Sequence, residues 1–113
     1  MLRFFAEDPS GLLEKFKRKI AARQGLRSID TWEQVGENFG HTAERWKGKM
    51  VFKAQIGAVQ DRRFLLFKVA SMSKGTQEEQ QMIYAYYHGH MLQTFIDHLG
   101  DEFTSAVYKD GRG

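Results

Sequence analysis

The sequence predicts an α+β fold: two layers, a mainly antiparallel sheet and two helices, in the order β-α-β-β-β-α-β. Three observations predict it. The segments "KMVFKAQIG" and "RRFLLFKVASM" alternate in side-chain character with period two and lie close enough to form a hairpin. The segment "DPSGLLEKFKRKI" opens with a helix start, Asp8 as N-cap and Pro9 at the first helical position. The segment "TQEEQQMIYAYYHGHMLQTFIDHLG" is framed by a Thr76–Glu79 capping box and a closing Gly100. A chain of 113 residues, 42% apolar and 13% aromatic, can build one core, so residues 1–113 are read as a single domain.

Taken in order, "MLRFFA" reads as a short strand. The first helix runs from residue 8 to about Gln24, with Gly25 as its stop. Leu12, Leu13, Phe16 and Ile20 form its apolar stripe, and Lys15, Lys17, Arg18 and Lys19 lie around the rest. Residues 29–39, "IDTWEQVGENF", read as one polar strand at an edge or on an open face. In the next strand Met50, Phe52, Ala54 and Ile56 share a face. The following strand is apolar on both sides, with Leu65, Phe67 and Val69 on one and Phe64 and Leu66 on the other, which places it near the centre. A loose turn between Gly57 and Arg62 joins the two. The second helix covers 77–99, and "FTSAVYK" returns to the sheet.

The chain has no cysteine, which rules out disulfides, thiolate metal sites and cysteine nucleophiles. No apolar run approaches the roughly 18 residues of a membrane span, and "MLRFFAEDPS" lacks the long apolar region of a secretory signal. The expected location is the cytoplasm, with no membrane partner. Net charge is a mild +3, unevenly spread. Between Lys15 and Arg27 there are six basic residues and no acid, whereas between Gly75 and Tyr108 there are five acids and no Lys or Arg.

Three of the four histidines lie in the second helix. On a helix His88 and His90 point about 160° apart and cannot chelate one ion, and His98 is too far along the axis from His88 to join it. No metal and no cofactor is expected. His88 and His98 fall on the apolar arc and read as core-edge imidazoles bonded to a backbone carbonyl or a tyrosine, while His90 falls on the far side. The sharpest site expectation is a His41–His88–Tyr84 cluster. Met82, Ala85, Gly89 and Ile96 make a second face, flattened by Ala85 and Gly89, against which the first helix is expected to pack, with a second copy of the chain as the alternative.

Trp46 sits among Arg45, Lys47 and Lys49, and Trp32 falls on the neighbouring strand. Aromatics beside cations can line a pocket for a flat or anionic ligand. The candidate ligand-binding residues are therefore Trp32, His41, Trp46, Tyr84 and His88. A candidate nucleic-acid surface is the basic first helix, with Lys15, Lys17, Arg18, Lys19 and Arg23, although the mild net charge argues against it. No phosphate-binding glycine loop, nucleophile elbow or carboxylate pair is present, so no catalytic residue is assigned.

The stretches "HTAERWKGKMVFKA", "RRFLLFKVA" and "YAYYHGHMLQTFIDHL", within residues 41–99, look like those of small uncharacterised bacterial proteins, some of them mobile gene-cassette products of integrons. The resemblance implies a compact, often oligomeric α+β fold and carries no activity with it. The function expected first is a non-catalytic binding or interaction protein, a homodimer through the sheet or the Met82/Ala85/Gly89/Ile96 face. A ligand-binding domain or small enzyme with a pocket between sheet and final helix comes second, and a nucleic-acid-associated protein third.

Overall fold

A computed structural model describes residues 1–22 and 28–110. Its elements are β1 (Leu2–Phe5), α1 (Pro9–Ala21), β2 (Trp32–Val35), β3 (Asn38–His41), β4 (Met50–Val59), β5 (Arg62–Met72), α2 (Gln77–Leu99), a 3-10 turn (Gly100–Glu102) and β6 (Ser105–Tyr108). All strand pairs are antiparallel, in the order β2-β3-β4-β5-β1-β6. This is the α+β fold that the sequence predicts.

The helix starts follow from their caps. Asp8 Oδ1 accepts from Gly11 N–H at 2.9 Å, with Pro9 inside the first turn. Thr76 Oγ1 accepts from Glu79 N–H at 3.1 Å and donates to the Glu79 carboxylate at 3.0 Å. α1 ends at Ala21, where the Ala22 N–H bonds to Arg18 O. The stop expected at Gln24 and Gly25 lies outside the described residues.

The polar segment read as one strand is a hairpin. Gly36, at φ +63°, turns the chain so that Trp32 faces His41 and Val35 faces Asn38. The turn expected to be loose between Gly57 and Arg62 is tight. β4 runs on to Val59, β5 begins at Arg62, and Gln60 and Asp61 between them have φ 48° and 67°. Positive φ at both central residues gives the twist that a two-residue hairpin needs.

One face of the sheet carries the core. Phe4, Phe39, Phe52, Leu65 and Phe67 meet Leu12 and Phe16 of α1 and Ile83, Tyr87, Met91, Phe95 and Leu99 of α2. Phe95 stacks on Phe4 at 4.2 Å and lies 4.9 Å from Phe16. The other face holds a small cluster, Phe5, Phe64 and Leu66, flanked by Met1. These three are at most 8% exposed, so the apolar surface expected there is covered. Arg62 lies over the Phe5 ring at 4.0 Å and Arg3 over the Phe64 ring at 5.1 Å.

α1 does not cover the Ala85 and Gly89 face of α2. A Cβ added at Gly89 would meet open space, and Met82 and Ile96 are 49% and 59% exposed. α2 is therefore apolar toward the sheet and partly apolar toward solvent. Among the described residues no helix is long and apolar enough to cross a membrane.

Candidate functional site

The expected His41–His88–Tyr84 cluster divides in two. His41 meets His90, not His88: His41 Nε2 lies 2.6 Å from His90 Nδ1. β3 ends at His41, beside Trp32 of β2, with Trp32 5.0 Å from His41 and 5.8 Å from His90. α2 approaches with a flank stepped at i, i+4 and i+8: Tyr86, His90 and Thr94. Trp32 Nε1 donates to Thr94 Oγ1 at 2.9 Å, and Thr94 Oγ1 donates to His90 O at 2.8 Å. The periodicity placed His90 opposite the apolar arc. In the fold it is half-buried, because the β2–β3 hairpin reaches the flank of the helix.

The bonds settle which nitrogens carry protons. Ala43 N–H donates to His41 Nδ1 at 3.0 Å, so that atom keeps its lone pair. The proton of neutral His41 is then on Nε2 and is donated to His90 Nδ1, which leaves the His90 proton on Nε2. An added proton would break either the Ala43 bond or the bond between the rings. Burial, and then the neighbouring His90, push His41 down to about 4, and burial lowers His90 as well. Every lone pair of the pair is occupied, so it offers an N–H donor and no base.

The loop 42–49 closes over this cluster. Its turn is held by Trp46 N–H and Lys47 N–H on Ala43 O, each at 2.8 Å, and Gly48 takes φ +76°. Trp46 stacks on Tyr86 at 3.9 Å with the rings 9° apart, and Arg45 lies over Trp46 at 5.1 Å. Tyr87 O–H donates to Trp46 O, and burial raises the Tyr87 phenol above its usual range. Lys47 reaches Glu33 of β2 at 3.7 Å. Trp32, His41 and Trp46 are therefore brought together. Tyr86, Tyr87, His90 and Thr94 were missed, and the aromatic spacing on α2 was the signal for them.

Tyr84 and His88 stand elsewhere. His88 Nδ1–H donates to Tyr84 O at 2.7 Å, one turn back, and its ring lies 4.0 Å from Tyr84 and 4.9 Å from Phe52. Tyr108 O–H donates to Tyr84 Oη at 3.1 Å. These residues border a shallow groove of about 340 Å³ between α2 and the β1–β6 side of the sheet, with Ala85, Gly89 and Leu92 as its apolar wall. His98 is half-buried, 3.6 Å from Asp97. Among the described residues no three His, Cys, Asp or Glu side chains come together as metal ligands.

The basic α1 is partly neutralised. Lys15 pairs with Glu102 at 2.6 Å and Lys17 with Glu14 at 3.6 Å. Arg18 and Lys19 occupy its last turn, where they oppose the negative end of the helix dipole. Arg23 lies outside the described residues. A different basic surface emerges on the sheet. β4, β5, β1 and β6 contain no Asp or Glu. Strand alternation sends Lys53, Lys68, Arg3 and Arg62 to the face away from the helices. Lys53 stands directly opposite Lys68, a like-charge pair that weakens a ladder.

No protein-family model matches this chain, and comparison with the curated proteins finds no match.

Proposed function

We propose that this protein is a non-catalytic binding module that takes single-stranded nucleic acid on the open face of its sheet. The observation that carries the reading is the set Lys53, Lys68, Arg3 and Arg62, spread over three adjoining strands that hold no acid. None of the four is in an ion pair among the described residues. A bound polyanion relieves the Lys53–Lys68 repulsion and releases its own counterions.

The form of the cations favours nucleic acid over an acidic polypeptide. Arg62, exposed, is laid over the Phe5 ring at 4.0 Å, and Arg3, half-buried, over the Phe64 ring at 5.1 Å, so that the aromatic rings hold both guanidinium planes in place. Such a plane stacks on a base while its charge serves a phosphate. α1 is the poorer surface because Lys15 and Lys17 are already paired. The closed hydrogen bonding of His41 and His90 supports the non-catalytic part of the reading.

The test is fluorescence anisotropy with a labelled, mixed-sequence single-stranded oligonucleotide at several salt concentrations. The expected affinity falls linearly on a log–log scale with salt, and Lys53→Glu with Lys68→Glu weakens it by about tenfold or more at fixed salt. Lys17→Glu with Lys19→Glu on α1 has a smaller effect. No binding at low salt, or loss only with the α1 pair, overturns the reading. Stronger binding of poly-glutamate than of the oligonucleotide reassigns the face to an acidic polypeptide.

A further inference from the structure

β4 is covered on its outer side for only part of its length. β3 pairs with it at Phe39–Phe52, and the β2–β3 turn at Gly36 and Glu37 ends β3 close to that point. From Gln55 to Val59, β4 has β5 on one side and, among the described residues, no strand on the other. The segment Ala54–Val59, "AQIGAV", contains neither charge nor proline. Ile56 and Val59 are 46% and 55% exposed. Edge strands are normally blunted by a charge, a proline or a bulge. The one irregularity in β4 lies at Val51/Phe52, away from this stretch.

We propose that Gln55–Val59 is a homodimerisation edge, on which a second copy of the chain lays its own β4 antiparallel about a two-fold axis at Gly57. In this register Gln55 faces Val59 and Ile56 faces Ala58, so Ile56 is covered on the helix side of the sheet. The same register carries Lys53 of each copy past the end of the other's β4, toward the β4–β5 turn that holds Asp61, within reach of the long lysine side chain. Lys53 and Asp61 are in no ion pair among the described residues, so the match is available to a second copy. Gly57 suits the axis. Its own Phe64 ring fills the place of a side chain, with a Cβ only 2.6 Å from Phe64 Cζ, and leaves the backbone edge clear. A two-fold contact is self-complementary, and a register with this charge match satisfies both ends at once. The inference shares Lys53 with the nucleic-acid reading but does not rest on it, and it is tested without nucleic acid, so its failure and the failure of that reading are told apart.

Sedimentation equilibrium of the full chain is expected to give twice the 13.1 kDa monomer mass as concentration rises. Amide hydrogen exchange over Gln55–Val59 should slow with concentration, while the β2 edge should not change. Ile56→Lys with Val59→Lys places charge on two exposed positions and should give a monomer that still melts cooperatively, at a temperature that no longer depends on protein concentration. Lys53→Glu alone and Asp61→Lys alone should each weaken self-association several-fold, because each creates like-charge contacts. Mixing these two variants should recover the dimer, because both contacts in the mixed pair are then of opposite sign. A monomer across the concentration range, a dimer whose 55–59 amides stay unprotected, or no recovery on mixing overturns the proposal. The second of these outcomes assigns the contact to the Met82 and Ile96 face.

Discussion

His41 and His90 share a single hydrogen bond, 2.6 Å from Nε2 to Nδ1, and the Ala43 amide on the far side of His41 fixes its direction. The consequence is a dependence of stability on pH. Both imidazoles titrate below their ordinary value in the folded chain, His41 at about 4. Between that value and about 6.5 the unfolded chain binds more protons, so stability rises with pH through this window. It is fully present above about 6.5 and is lost as pH falls toward 4. Urea denaturation at pH 7 and pH 5 should differ by on the order of 1–2 kcal/mol from this pair. His90→Asn should reduce the difference without abolishing it, because burial, the larger cause for His41, remains. Equal midpoints for the wild-type chain at the two pH values would rule out the fixed tautomer.

Phe95 is the centre of the core, with no exposed surface and ring neighbours in Phe4, Phe16 and Phe67. Phe95→Ala is expected to cost roughly 3–5 kcal/mol in chemical denaturation. A loss below about 1 kcal/mol would mean that α2 does not seat on the sheet in this way.

The β4–β5 turn stores strain. Gln60 takes φ 48° with a long side chain, in a position that two-residue hairpins usually give to Asn or Gly. Gln60→Asn should raise stability by a few tenths to about 1 kcal/mol, and Gln60→Val should lower it by about 1 kcal/mol or more. The ordering Asn above Gln above Val in thermal denaturation is the measurement, and a flat series would mean that the turn is open.

How much of this was legible in the sequence follows from how local each signal is. The caps at Asp8 and Thr76 involve residues three apart, and the alternation of β4 and β5 is carried within each strand. Those elements could be read directly. The β2–β3 hairpin was hidden because two turn residues interrupt a polar run without changing its composition. The His41–His90 contact spans 49 residues and depends on how far the hairpin reaches around α2. A helical projection ranks faces by apolarity and so set His90 aside, although Tyr86 and Thr94 mark the same flank. The basic face needed the strand order, because Arg3 comes next to Leu66 only when β1 inserts beside β5.

That insertion also dictates a folding history. β2 to β5 form a meander in which each strand finds its neighbour across a short connection, so these contacts can close early. β1 is made first but has no partner until β5 exists, since its register runs Leu2 to Phe67 and Phe5 to Phe64. β6 in turn has only β1 to join. On the ribosome the two phenylalanines of β1 therefore wait exposed while some sixty residues are added, and the sheet closes in the sequence meander, β1, β6. The capture of β1 is the long loop closure on which β6 depends, and its entropic cost is the expected brake on folding.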